Sequence, residues 1–190
     1  MRAEEVRQHA NELVSRLESW HQKQDRGALA RLRRGLSATT RQDAWTVLGP
    51  HFGPIAVGHP VYETVAGCFA LHPAAQPPAI GNLGETMREA LGDKIREGKE
   101  PHARFRCLLA CSSRDEICQH VRHAVRLAKS RTVPVPVNYR RLFEDLWWWN
   151  ERTKIEWAKA YWQVPAGSEG FNLAGTGIPV EEGEALAPEE

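Results

Sequence analysis

Residues 140–163 read RRLFEDLWWWNERTKIEWAKAYWQ, with adjacent tryptophans at 147, 148 and 149 and two more at 157 and 162. In a helix each residue turns about 100° from the last. Leu142, Phe143, Leu146 and Trp149 then share one face, Trp147 sits at its edge, and Trp148 points elsewhere. In the next segment Ile155, Ala158 and Trp162 line one side, while Trp157 and Tyr161 line nearly the opposite one. Two apolar faces on consecutive helices suit the central elements of a bundle, covered from both sides. The sharper alternatives are a protein–protein interface or a stacking platform for single-stranded bases. Trp148, Trp157 and Tyr161 are the candidates for such a surface.

The rest of the chain follows the same period, and no clear alternating run of β-branched residues marks a strand. Val6, Ala10, Leu13, Leu17 and Trp20 predict a helix over 3–22. Asp25 can cap a second helix that turns Leu29, Leu32 and Leu36 inward. A third runs from Thr40 to Leu48, stopped by GPHFGP. HPVYETVAGCFALHP, residues 59–73, opens on a proline and closes on another, both suitable helix boundaries. AAQPPAIGN is an interhelical joint. Helices over 83–97 and 101–111 follow, and Ser113 with Glu116 forms a capping box for a long helix to about 130. VPVPV is extended, and helices over 137–149 and 151–163 complete the folded part. The expected fold is all-α, about nine helices in two small bundles. Residues 1–75 form the first bundle, 76–100 a linker with a short helix, and 101–164 the second. Residues 165–190 are an acidic tail with little to bury, expected to be disordered.

The formal net charge of +1 conceals an asymmetry. Residues 168–190 hold six glutamates and no Lys or Arg, so residues 1–167 carry 25 basic against 18 acidic side chains. Two basic stripes stand out. In GALARLRRGL and its flank the leucines take one side, Arg26, Arg31 and Arg34 the opposite side, and Arg33 flanks them. In the helix over 113–131, Ile117, Val121, Val125 and Ala128 form the buried stripe, while Arg122, Arg126 and Lys129 lie on an adjacent face. Like charges one turn apart repel, and an anion laid along them reverses that cost. Arg131, Arg140 and Arg141 continue the charge beyond the proline segment. A solvated face is the plain alternative for any one arginine. With no zinc finger, RNP motif or recognition-helix pattern, such binding is expected to follow the phosphate backbone and ignore sequence.

Catalysis finds little support. His120 and His123 with Cys107, Cys111 and Cys118 are a weak zinc set, since the cysteines fall where small core residues belong. Glu144 and Asp145 are adjacent and diverge on a helix, a poor pair for a two-metal nuclease. There is no P-loop, GxSxG or HExxH. No catalytic residue, metal or cofactor is expected. The opening MRAEEVRQHANELVSRLESW has no apolar signal core, and the four cysteines have no CxxC spacing. A reduced, cytoplasmic setting with no membrane span is the expectation.

Three stretches in order, GALARLRRGL, HPVYETVAGCFALHP and YRRLFEDLWWWNERTKIEWAKAYWQ, resemble the CasB family, the small subunit of the type I-E CRISPR Cascade complex. The last pattern falls on Leu142, Asp145, Leu146, Trp148 or Trp149, then Trp157-Ala158 and Tyr161-Trp162, and the resemblance spans about 20–163. It implies an all-α subunit present in two copies, without chemistry of its own, beside other Cascade subunits and guide RNA. It implies that the subunit braces the assembly and holds the displaced single-stranded DNA of the R-loop, while a separate helicase-nuclease cuts. The family's arginine-rich helix maps onto Arg31, Arg33 and Arg34; the stripe at Arg122, Arg126 and Lys129 comes from charge geometry alone. Two other readings stand beside this one, a purely structural helical adaptor and a metal-dependent helical nuclease. The acidic tail is either an inert solubilising segment or a competitor for the basic groove.

Overall fold

The computed structural model describes residues 1–73, 81–96 (backbone alone for 93–96) and 102–163. Among the described residues there are nine α-helices and no strand. They are α1 (Ala3–Gln22), α2 (Arg26–Arg34), α3 (Gln42–Phe52), α4 (Pro60–Leu71), α5 (Leu83–Arg96), α6 (Ala103–Ala110), α7 (Arg114–Lys129), α8 (Tyr139–Trp147) and α9 (Glu151–Trp162). Short 3-10 turns at Ala38–Thr40 and Pro54–Ala56 flank α3. The tail at 165–190, most of the AAQPPAIGN joint and residues 97–101 of the linker region lie outside the described residues.

Local chemistry accounts for most boundaries. Asp25 caps α2 by accepting the Ala28 amide at 2.9 Å, and Ser113 Oγ accepts the Glu116 amide at 3.2 Å at the start of α7. Glu116 reaches back to the Ser112 amide at 2.8 Å, one residue earlier than a regular capping box. Asn138 and Asn150 cap α8 and α9 through the amides of Arg141 and Thr153. Pro60 opens α4 at its first turn, where its missing N–H costs nothing.

Two boundaries differ from the sequence expectation. Helix α3 does not stop at Leu48; it runs through Gly49 and Pro50 and ends at Gly53, whose φ of 70° suits glycine. The Gly53 amide closes the last turn on the Gly49 carbonyl at 2.9 Å. That turn is anchored by packing, with His51 edge-on to Trp20 at 5.1 Å and Phe52 against Tyr62 at 5.9 Å. Helix α8 stops at Trp147, two residues early, so the three tryptophans straddle a helix end and a turn.

Helix α4 is the centre of the molecule. Every residue from Val61 to Ala70 is buried, as in a helix covered all round. It packs against α1, α2, α7 and α8, while α5 packs mainly on α9. Buried side chains from Val6 in α1 to Tyr161 in α9 form one hydrophobic cluster. The extended VPVPV segment seals one edge: Val135 and Val137 are buried, and the Val135 carbonyl lies 2.8 Å from His72 Nε2. Tyr139 closes the same corner by donating to the His72 carbonyl at 2.7 Å.

Candidate nucleic-acid interface

The tryptophans resolve first. Trp147 is buried, stacked on His59 at 4.5 Å, with the Arg114 guanidinium 5.6 Å from its ring. Trp149 packs on Trp157 at 5.0 Å and donates its indole N–H to the Cys111 carbonyl at 3.0 Å. Trp157 is fully buried and donates its indole N–H to Asp145 at 2.7 Å. Tyr161 is buried too, stacked on Phe105 at 3.9 Å. Trp157 and Tyr161 are therefore core residues and not surface candidates: their face of α9 meets α5, α6 and the turn after α8. Trp148 alone of the three candidates faces outward, at 42% exposure; Trp162, at 37%, is a second exposed tryptophan that the face assignment had turned inward.

The arginines separate into two groups. Arg140 holds Glu18 of α1 through both terminal nitrogens, at 3.0 and 3.3 Å. Arg141 bridges Asp145 at 2.8 Å and Glu156 at 2.5 Å, tying α8 to α9. Arg34 pairs with Asp43 at 2.5 Å, and Arg33 donates to the Leu29 carbonyl of its own helix at 3.3 Å. Arg122 lies half-buried and donates to the Leu36 carbonyl at 2.8 Å, pinning α7 to the end of α2. Its Nε is buried with no hydrogen-bond partner among the described residues. Arg131 is half-buried just past α7. These side chains are committed, in whole or part, to the protein's own structure.

Arg26, Arg31, Arg126 and Lys129 are different. All four are exposed, and their side chains make no hydrogen bond or ion pair with another described residue. Arg126 lines a groove of about 570 Å³ between α5, α6 and α7. Met87, Leu108, Ala124 and Leu127 give it an apolar floor, and Arg104, His120 and His123 join Arg126 on its rim. Among the described residues no acidic side chain lines it. Burial, followed by the charges of Arg122, Arg126 and His120, holds the His123 imidazole below its usual range. Arg104 escapes the sequence reading because α6, at eight residues, is too short for a basic stripe to stand out. A cavity of about 610 Å³ on another face contains Arg41 and Arg122 but also Glu63 and Asp115, so its charge is balanced.

One mixed donor set exists among the described residues: Cys111, Glu116 and His120 bring ligand atoms within 4.8 Å of one another. Burial, then Glu116, pushes the Cys111 thiol up to about 11, and Glu116 is already engaged by the Ser112 amide and hydroxyl. A cation there would have to displace a proton and a helix cap together. Asp145, the better carboxylate of the Glu144–Asp145 pair by burial, is occupied by Trp157 and Arg141. No described helix is long and apolar enough to cross a membrane.

Neither a curated protein nor a solved structure matches the chain at a significant level. The model of the CRISPR-associated protein Cse2 family matches residues 28–162, from the middle of α2 to the end of α9, and so spans the arginine-rich helix, the buried α4 and the Asp145–Trp157 pair. That match agrees with the resemblance carried by the three motifs, and the chain belongs to the CasB/Cse2 family of CRISPR Cascade subunits.

Proposed function

We propose that this Cascade subunit is a non-catalytic, cytoplasmic nucleic-acid binder that braces the assembly and holds the displaced DNA strand of the R-loop without reading its sequence. The observation that carries the reading is the separation of the cations. Arg140, Arg141 and Arg34 spend their charge on carboxylates of the protein itself, whereas Arg126 and Lys129 leave α7 with no ion-pair partner among the described residues, beside a groove that no described acid lines. Arg26 and Arg31 extend the same property to α2. R-loop formation is a near-balanced exchange, so capture of the freed strand by phosphate contacts is enough to tip it. The partners of this reading are other Cascade subunits, guide RNA, the displaced single strand and a second copy of the subunit. Trp148 is a candidate for one of the protein contacts.

Fluorescence anisotropy of a labelled single strand, titrated across a salt series with chelator present, tests it. The triple change Arg104→Glu, Arg126→Glu, Lys129→Glu is expected to weaken binding by at least tenfold at low salt. It should also flatten the log–log salt slope by about one unit for each phosphate no longer neutralised. Arg122 is left out because it supports Leu36. Unchanged affinity and slope, with intact assembly into the complex, would move the weight to the structural adaptor.

A further inference from the structure

We propose that Cys111, Glu116 and His120 bind one zinc ion, which clamps the corner where α6 turns into α7. The site is independent of the function proposed above.

The three donors come together because of how the turn is built. Cys111 ends α6, and only Ser112 separates it from Ser113, the N-cap of α7. Glu116 lies in the first turn of α7 and His120 four residues on, so both project from one helix face. Their ligand atoms and the Cys111 Sγ all lie within 4.8 Å of one another. Zinc bonds of about 2.0–2.3 Å in tetrahedral geometry place ligand atoms roughly 3.3–3.8 Å apart. Rotation of the exposed His120 and of the Glu116 carboxylate supplies that closure. The set differs from the one the sequence spacing suggests. Cys118 lines the cavity that holds Glu63 and Arg122, on another face, and Glu116 takes its place.

The backbone beneath the donors is already fixed. The Cys111 carbonyl accepts the Trp149 indole N–H at 3.0 Å, and Ser113 Oγ accepts the Glu116 amide at 3.2 Å. Little ordering is left for the metal to impose.

Donor chemistry selects the ion. Thiolate, imidazole and carboxylate together suit zinc, whereas magnesium and calcium take oxygen ligands. On binding, the thiol S–H bond breaks, its proton leaves to solvent, and the sulfur electron pair goes to the metal. That removes the S–H contact to the Cys107 carbonyl at 3.2 Å and draws Glu116 away from Ser112. Neither loss unravels α7, whose Ser113 cap stays in place. Three protein ligands leave the fourth position to water. The clamp matters because α6 has eight residues, few for a helix to hold by itself. Arg104 on α6 and Arg126 on α7 border the same groove, and a metal joining the two helices fixes the spacing of those charges.

The test uses the full chain, stripped with chelator and returned to chelator-free buffer. Cobalt(II), as a stand-in, should produce a near-ultraviolet thiolate charge-transfer band that saturates at one equivalent and is abolished by zinc. Zinc titrated against a chromophoric chelator should bind at one per chain. His120→Gln, at an exposed position, leaves the core intact and is expected to weaken zinc about tenfold or more, as is Glu116→Gln. Zinc should raise the melting temperature of the native chain and not that of His120→Gln. Cys107→Ser removes the exposed thiol and should leave zinc affinity within about twofold. Absence of the cobalt band, or a zinc affinity that His120→Gln leaves unchanged, overturns the site. So does a band lost in Cys107→Ser and kept in Cys111→Ser, which would place the metal on the surface thiol. Strand capture is measured with chelator present, so the failure of either proposal leaves the other standing.

Discussion

Asp145 is almost fully buried, and each of its carboxylate oxygens accepts a hydrogen bond, one from Arg141 and one from Trp157. Burial pushes its carboxyl up to about 6, while the Trp157 indole and the Arg141 guanidinium pull in the other direction. A folded-state value above the ordinary one means the native protein takes up this proton more readily than the unfolded chain. The group's contribution to stability is therefore fully present below about 4 and is lost as the pH rises through about 6. The indole N–H resonance of Trp157 should titrate with a midpoint near 6, and Trp157→Phe should move the Asp145 carboxyl midpoint, followed by carbon NMR, further upward. A midpoint left in the ordinary range in the native chain would show that the two donors outweigh burial. Loss of the indole donor, with the void left by the smaller ring, should also cost about 2–4 kcal/mol of stability in denaturant unfolding. The pair explains why Asp145 and Trp157-Ala158 were legible as a motif. Their partnership was not legible, because the twelve-residue separation crosses the turn at Trp148–Asn150, and a face assignment made one helix at a time cannot see across it. The same limit put Trp157 and Tyr161 among surface candidates.

At the scale of elements, Gly84 and Gly67 let helices approach closely. A Cβ at Gly84 in α5 would land on the Trp157 backbone carbonyl, and one at Gly67 in α4 would meet Leu36 at 2.6 Å and the Leu32 carbonyl at 3.0 Å. Alanine is the better helix former at either site by about 1 kcal/mol, so propensity alone predicts that both substitutions stabilise. The packing predicts the opposite. Gly84→Ala meets backbone that cannot rotate away and should cost more than Gly67→Ala, whose main obstacle is a leucine side chain; overpacking typically costs about 1–3 kcal/mol. Thermal melts of the two variants check the order, and a stabilised Gly84→Ala would contradict the α5–α9 packing. Ser113→Ala, by contrast, should cost only about 1 kcal/mol, the ordinary value of a missing cap. Caps are the most legible class of boundary here because they are written in three or four consecutive residues. The ends of α3 and α8 were less legible because packing decides them: His51 and Phe52 hold α3 past a proline, and Trp149 leaves α8 to reach Cys111.

For the whole molecule, the burial of α4 bears on how the two segments fold. The sequence suggests residues 1–75 and 101–164 as separate bundles, and that division remains a proposal about folding units. In the structure α4 presents one side to α1 and α2 and another to α7 and α8, and the buried side chains form a single cluster. A fragment of residues 1–75 would leave the α7 and α8 faces of α4 open to water, a large penalty for a segment too short to compensate with a core of its own. The full chain is therefore expected to melt in one transition, with near-ultraviolet circular dichroism from the tryptophans and far-ultraviolet circular dichroism from the helices coinciding. The 1–75 fragment is expected to show no cooperative transition. Two separated transitions, or a folded fragment, would establish the bundles as independent units. A single transition would bear on the proposed function as well: the ion pairs of Arg140 with Glu18 and Arg141 with Glu156 join α8 to α1 and to α9, α8 in turn packs on α7, and a strand captured on α7 as proposed would then meet a row of charges carried by one cooperative body.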